Sequence, residues 1–343
     1  MHALVLLPWL LALACNDEGE DTHGPGDGGA TDGGGGDGGG SDGGGDGGGD
    51  GGGGDGGGDP APCPSSVGAF PSPHAYGAAA VHDGVLYVFG GYDEDGVTDE
   101  VWAWQDGSWQ ARAPMPTGRT HAAIGVWEDQ VWLVTGFNSG AKSSVEVYDP
   151  VHDSWSTRTP FPTDLENGGY AQDGSILYVV GGYNGSVQGT IYKLDLSDGS
   201  VSMGINLGYS RDRVACAVHE GELWTMGGQT SNSMQFDFVE IYDPISNTGR
   251  PGPLLTEARS NASAVDLDGT LLVIGGGRTM SSSPATLDNV EQLVDDAFQV
   301  VDHLPQPRTM STVTACEDTV YVIGGADETA TMRDTVYLVT PPG

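Results

Sequence analysis

Leu86-Tyr87-Val88-Phe89-Gly90-Gly91 is a strand-like run of apolar residues that stops at a glycine pair, and the chain repeats it. Further copies are Leu177-Tyr178-Val179-Val180-Gly181-Gly182, Leu223-Trp224-Thr225-Met226-Gly227-Gly228, Leu272-Val273-Ile274-Gly275-Gly276 and Val320-Tyr321-Val322-Ile323-Gly324-Gly325. A sixth, Val131-Trp132-Leu133-Val134-Thr135-Gly136, carries Thr135 where the others have a first glycine. The second glycines fall at 91, 136, 182, 228, 276 and 325, a period of 45 to 49 residues. Repeats of that length, each long enough for four short strands, specify an all-β fold, a six-bladed β-propeller.

Each unit reads as four strands. A small-residue run such as Arg119-Thr120-His121-Ala122-Ala123-Ile124-Gly125-Val126 comes first, as crowding at the axis requires, and a turn such as Asp83-Gly84 leads into the run that ends at the glycines. The third strand alternates, as in Val145-Glu146-Val147-Tyr148-Asp149-Pro150 and Val239-Glu240-Ile241-Tyr242-Asp243-Pro244. The fourth carries Trp109, Trp155 or Phe298 before a proline-rich connection. The glycine pair, the later Tyr and the Trp about six residues after it resemble the kelch family. The resemblance covers about residues 64–343 and implies the six-bladed kelch-like β-propeller. Departures are Thr135, Leu293 where a Tyr belongs, and the lack of a clear Trp in the third and fourth units.

The sixth unit ends after its third strand, Thr335-Val336-Tyr337-Leu338-Val339. Ser65-Ser66-Val67-Gly68-Ala69-Phe70-Pro71-Ser72-Pro73 reads like the fourth-strand segment at Ser108–Pro116, so the N-terminal strand is expected to complete the last blade. Cys216 and Cys316 fall on innermost strands of non-adjacent blades and read as small buried thiols. Cys63 reads as free, with a Cys63–Cys316 pair as the remote alternative.

Ahead of the repeats, Ala3–Ala14 is an apolar run too short to span a bilayer, which reads as a signal-peptide core. Leu11-Ala12-Leu13-Ala14-Cys15 resembles the bacterial lipobox, implying cleavage before Cys15 and a lipid on its thiol. Residues 16–62 form a linker dominated by Gly and Asp. From Asn16 to Asp59 it holds 25 Gly and 12 Asp+Glu, with too few apolar groups to offset the entropy of ordering. Such a coil reaches roughly 35–40 Å at about 5–6 Å × √n. The expected organisation is a signal peptide over 1–15, a disordered tether over 16–62 and the propeller over 63–343. The expected location is the bacterial cell envelope, as a membrane-anchored lipoprotein, or outside the cell if Cys15 stays unlipidated.

The formal charge of the chain is −36, of which −24 lies outside the tether. That excludes generic electrostatic binding to nucleic acid or an anionic membrane surface, leaving the lipid as the membrane contact. Counting back 17 residues from each second glycine gives His74, Arg119, Leu165, Arg211, Arg259 and Arg308. Equivalent positions in a propeller form a ring, so these residues, with His121 and Arg213 two places on, are expected at one mouth of the channel. The guanidinium fork suits a carboxylate or other anion. Resemblance to kelch domains that bind acidic peptides extends that role to Arg119, Arg211, Arg259 and Arg308. The competing role is structural, with the arginines bonded to neighbouring-blade carbonyls and acids.

Other chemistry is sparser. Asp93-Glu94-Asp95-Gly96 lacks the spaced ligands of a calcium loop and reads as solvated. Tyr92, Phe137 and Tyr183 follow glycines and suit either aromatic platforms or packing. The sequence gives no metal-ligand spacing, P-loop, dinucleotide fingerprint or Ser-His-Asp signature, and so no cofactor and no catalytic set. The expected function is a binding or interaction protein for a protein or carbohydrate ligand, acidic peptide or sugar included. One alternative is a sugar-modifying enzyme similar to the N-acetylneuraminate epimerases, where the resemblance implies carboxylate-holding arginines and, as proton shuttle, an acid such as Glu166 or a His. The other is a structural envelope protein without a ligand.

Overall fold

The computed structural model describes residues 61–278 and 285–341. The expectations for the leader, Cys15 and the tether up to residue 60 lie outside the described residues. Within them the protein is all-β, with five four-stranded antiparallel sheets and one three-stranded sheet arranged as six blades. Blade one comprises Ala78–His82, Val85–Phe89, Val101–Gln105 and Ser108–Arg112. Blade six comprises Thr312–Cys316, Thr319–Ile323 and Val336–Val339. The innermost strands of successive blades lie side by side, and Ala78–His82 meets Thr312–Cys316, so the ring closes.

Short hairpins build each blade. Innermost and second strands are joined by two-residue turns such as Asp268-Gly269, both at positive φ (47° and 85°), the twist that a tight hairpin needs. The run ending at the glycine pair is the most buried strand of each blade: Leu86, Leu133, Leu177 and Leu272 are fully buried. Alternation then presents successive side chains to the two neighbouring blades, so the core is a series of inter-blade layers. Thr135 sits at φ 60°, where the equivalent residues of the other blades are glycines.

The N-terminal segment closes the last blade, though without a regular ladder. Phe70 donates its N–H to the Asp334 carbonyl at 2.6 Å, and the Tyr321 hydroxyl donates to the Pro64 carbonyl at 2.7 Å. Phe70 is buried with Tyr321 and Ile323. Prolines at 62, 64, 71 and 73 lack an N–H, and the Gly68 carbonyl accepts from Trp109 Nε1 of blade one, so few groups remain for strand pairing.

The cysteine expectation needs correction. Cys63 and Cys316 form a disulfide with Cα atoms 5.9 Å apart across a sequence separation of 253. Neither is the free or buried thiol expected. The N-terminal segment crosses the end of the last innermost strand, which brings Cys63 onto Cys316. Cys216 is a buried free thiol, and burial pushes its pKa up to about 12.

Candidate functional site

The four repeat-position arginines do not line a mouth. Arg119, Arg211, Arg259 and Arg308 are each at most 1% exposed, which leaves no guanidinium surface for a ligand. Arg119 pairs through Nη2 with Glu146 Oε1 at 2.7 Å and donates through Nη1 to the carbonyls of Thr135 and Ser144. Arg211 pairs with Glu240 at 2.9 Å, donates to the Gly227 carbonyl and stacks on Phe238. Arg259 pairs with Glu291 and donates to the Gly275 carbonyl and Asn289 Oδ1. Arg308, in blade six, donates to Thr335 Oγ1 and the Tyr337 hydroxyl and lies over the Tyr337 ring. Each clamps its own blade by bonding the strand that follows the glycine pair.

His74 occupies this position in blade one, 2% exposed against the Phe70 ring, and burial lowers its pKa to about 4. Leu165, its counterpart in blade three, is fully buried. The geometry supports a structural role for these residues, but with one correction: the four arginines bond within their own blades, not to the neighbouring blade as expected.

Two residues further on, the chain turns inward. Tyr76, His121, Asn167, Arg213, Asn261 and Met310, one per blade, all adopt φ between 52° and 62°. Each follows a residue bridged to the position after the glycine pair, as in Thr120 with Phe137 and Glu166 with Tyr183, and precedes the innermost strand. The left-handed residue kinks the chain from one direction to the other. Backbone bonds then run from blade to blade: Tyr76 N to Met310 O (2.9 Å), His121 N to Tyr76 O (3.0 Å), Arg213 N to Asn167 O (2.7 Å), Asn261 N to Arg213 O (3.2 Å) and Met310 N to Asn261 O (3.3 Å).

This ring caps a cavity of about 450 Å³ along the innermost strands. Its wall is mostly small and apolar, with Ala79, Ile124, Cys216, Ala264 and Val313, and with Gln172 and Asp266 near the far end. Of the expected site residues, His121 and Arg213 belong to the ring, whereas His74 and the four other arginines do not. Tyr76, Asn167, Asn261 and Met310 were missed, although the same counting with a two-residue offset finds them.

The ring end is polar and only partly satisfied. The rings of Tyr76 and His121 pack at a 41° tilt with centroids 4.0 Å apart, and His121 Nδ1 bonds Thr120 Oγ1 at 2.9 Å. Arg213 Nη1 lies 3.9 Å from Asp212 Oδ2. His121 Nε2, Asn167 Oδ1, Asp212 Oδ1, Arg213 Nε, Thr309 Oγ1 and Ser311 Oγ are buried and make no hydrogen bond within the described residues. Burial pushes the Glu166 carboxyl up to about 7, Arg213 opposing and Asp212 reinforcing the shift. Asp212 rises to about 6 by burial, opposed by Arg213, by its own backbone N–H and by the Gln229 side chain. Burial and the Arg213 charge lower His121 to about 3, so its imidazole is neutral at physiological pH.

Outside the ring, Tyr92, Phe137 and Tyr183 are half-buried, one backbone bridge from Ala75, Thr120 and Glu166. Asp93 spends its carboxylate on its own turn, accepting from the N–H groups of Asp95 and Gly96.

The Kelch motif matches residues 73–116 and 118–162. Alpha-scruin of Limulus polyphemus is 24% identical over 300 residues, which cover 79% of this chain and 27% of the relative. Beta-scruin of the same organism is 25% identical over 280 residues, 74% of this chain and 25% of the relative. Mouse Kelch-like protein 35 is 28% identical over 130 residues, 37% of this chain and 21% of the relative. The chain thus spans about a quarter of the length of these relatives. Among solved structures, that of YjhT superposes with a TM-score of 0.71 at 15% identity, covering 80% of this chain and 97% of that one. The repeat motif, the relatives aligned across most of the propeller and the shared fold agree: the chain carries kelch repeats and is similar to kelch-repeat proteins.

Proposed function

We propose that this protein is an exported binding protein whose site is the ring end of the propeller channel. The observation that carries this reading is the set of buried polar atoms around Asn167, Asp212 and Arg213 that lack partners within the described residues. Groups so placed are costly unless something supplies their hydrogen bonds. The Arg-lined mouth is replaced in this reading by a mixed polar ring in which Arg213 is the arginine. Export is supported by the apolar leader and by the Cys63–Cys316 disulfide, which belongs in an oxidising compartment. Lipid attachment at Cys15 and a tether up to residue 62 complete the proposal.

Thermal-shift measurements of the full chain against acidic and neutral glycans and acidic peptides test the site. A ligand at 100 times its Kd adds about 2.7 kcal/mol. The rise must vanish in Arg213→Gln or Asn167→Gly and persist in variants of the far channel end; binding that ignores the ring variants overturns the reading. Radiolabelled palmitate incorporated by the parent and not by Cys15→Ala tests the anchor.

A second reading has one observation in its favour. Glu166, with a pKa of about 7 beside Arg213, suits proton transfer on an acidic sugar, as the resemblance to N-acetylneuraminate epimerases implies. Catalysed interconversion of N-acetylneuraminate anomers, lost in Glu166→Gln, decides between enzyme and binder.

A further inference from the structure

We infer that the ring end takes an uncharged, hydroxyl-rich ligand, the end of a neutral glycan. This inference rests on the ring being the binding site and specifies its chemistry. Charge argues first. The ring carries one cation, Arg213, with the Asp212 carboxylate at 3.9 Å and Glu166 on the preceding blade. An anion would meet at least one carboxylate beside that guanidinium, on a domain of net charge −24. A second cation would meet Arg213.

Hydrogen-bond chemistry argues next. The unpartnered atoms are of both kinds: Arg213 Nε donates, Asp212 Oδ1 and Asn167 Oδ1 accept, and Ser311 Oγ and the neutral His121 can satisfy either kind. Asp212 and Asn167 are 5% and 8% exposed, so burial holds both acceptors in place, and Asn167 lines the cavity. A hydroxyl both donates and accepts, so several on one small scaffold match such a mixture where a carboxylate matches only the donors. Tyr92, Phe137 and Tyr183 add apolar ring surface one bridge outward on three consecutive blades, which suits the C–H faces of sugar rings.

The experiment uses the full chain on a printed array of neutral and acidic glycans, followed by calorimetry with the best neutral trisaccharide at low and high salt. The expected result is binding to neutral glycans with an affinity that salt leaves unchanged. Asn167→Gly, which keeps the left-handed backbone, and Asp212→Asn should each weaken it by about tenfold while melting no lower than the parent. Binding confined to acidic glycans or acidic peptides, lost in Arg213→Gln, overturns the neutral ligand and leaves the ring site standing. Neutral binding indifferent to all three variants overturns the ring itself. No binding across the neutral array overturns the inference.

Discussion

Arg119 and Glu146 form a fully buried ion pair at 2.7 Å, with the arginine on the segment entering blade two and the glutamate in the middle of that blade's third strand. The same pairing joins Arg259 to Glu291, also fully buried, and Arg211 to Glu240, whose carboxylate side chain is 22% exposed. Removing one partner leaves the other charged and buried, which costs about 3–5 kcal/mol, whereas replacing both with apolar residues of similar volume is often close to neutral. Arg119→Ala or Glu146→Ala should therefore melt far below the parent, and Arg119→Met with Glu146→Leu should recover most of the loss. Urea unfolding of the four proteins measures the cycle. A stable Arg119→Ala protein that has lost ligand binding would restore the arginine to a recognition role.

The pairing was legible in the sequence. Blades two, four and five carry both the arginine and the central Glu of the third strand, whereas His74 and Leu165 stand in blades whose third strands hold Trp102 and Tyr192. The glycine periodicity sufficed for blade number and strand order because both are set by local hydrophobic pattern and turn chemistry. The inward-facing positions were harder to read. Strand alternation would give the residues 17 and 15 places before the second glycine one common face, but the left-handed residue between segment and strand resets the direction. The Cys63–Cys316 pair was obscured for another reason: its partners meet only after all six blades have closed.

That covalent closure is itself testable. A cross-link over a loop of this length restricts the unfolded chain by about 5 kcal/mol in the chain-entropy model, with observed losses of about 2–5 kcal/mol. Cys63→Ser should lower the melting temperature and make it indifferent to reductant, whereas the parent should fall toward the variant when reduced. Equal melting of parent and variant under oxidising conditions would show that the clasp adds nothing to ring stability.

Thr135 gives a prediction of the opposite sign. A β-branched residue at φ 60° costs on the order of 1–3 kcal/mol, and glycine at that site gives back about 0.5–1 kcal/mol in chain entropy. Thr135→Gly keeps the backbone carbonyl that Arg119 bonds and should raise the melting temperature by a few degrees. A fall instead would mean that the Thr135 side chain contributes more to packing than its backbone conformation costs.

Glu166 carries a pH signature. Its folded pKa, about 7, lies above the ordinary value of 4.5, so the native state holds the proton more tightly than the unfolded chain. Stability must fall as pH rises from about 4.5 through 7, since the native state binds more protons across that window. Below it both states are protonated and the effect disappears; above it the full penalty, on the order of 3 kcal/mol, is present. Asp212 acts in the same direction with a folded value of about 6. His74 and His121 act oppositely, because their folded values of about 4 and 3 penalise the native state as pH falls below 6.5. Comparing Glu166→Gln with the parent at each pH cancels those shared contributions. The variant should be the more stable protein at pH 8, and its advantage should shrink to nothing near pH 4.5. An advantage that does not change with pH would mean that Glu166 is no more costly to ionise in the ring than in water, and the proton-shuttle reading would lose its one supporting observation.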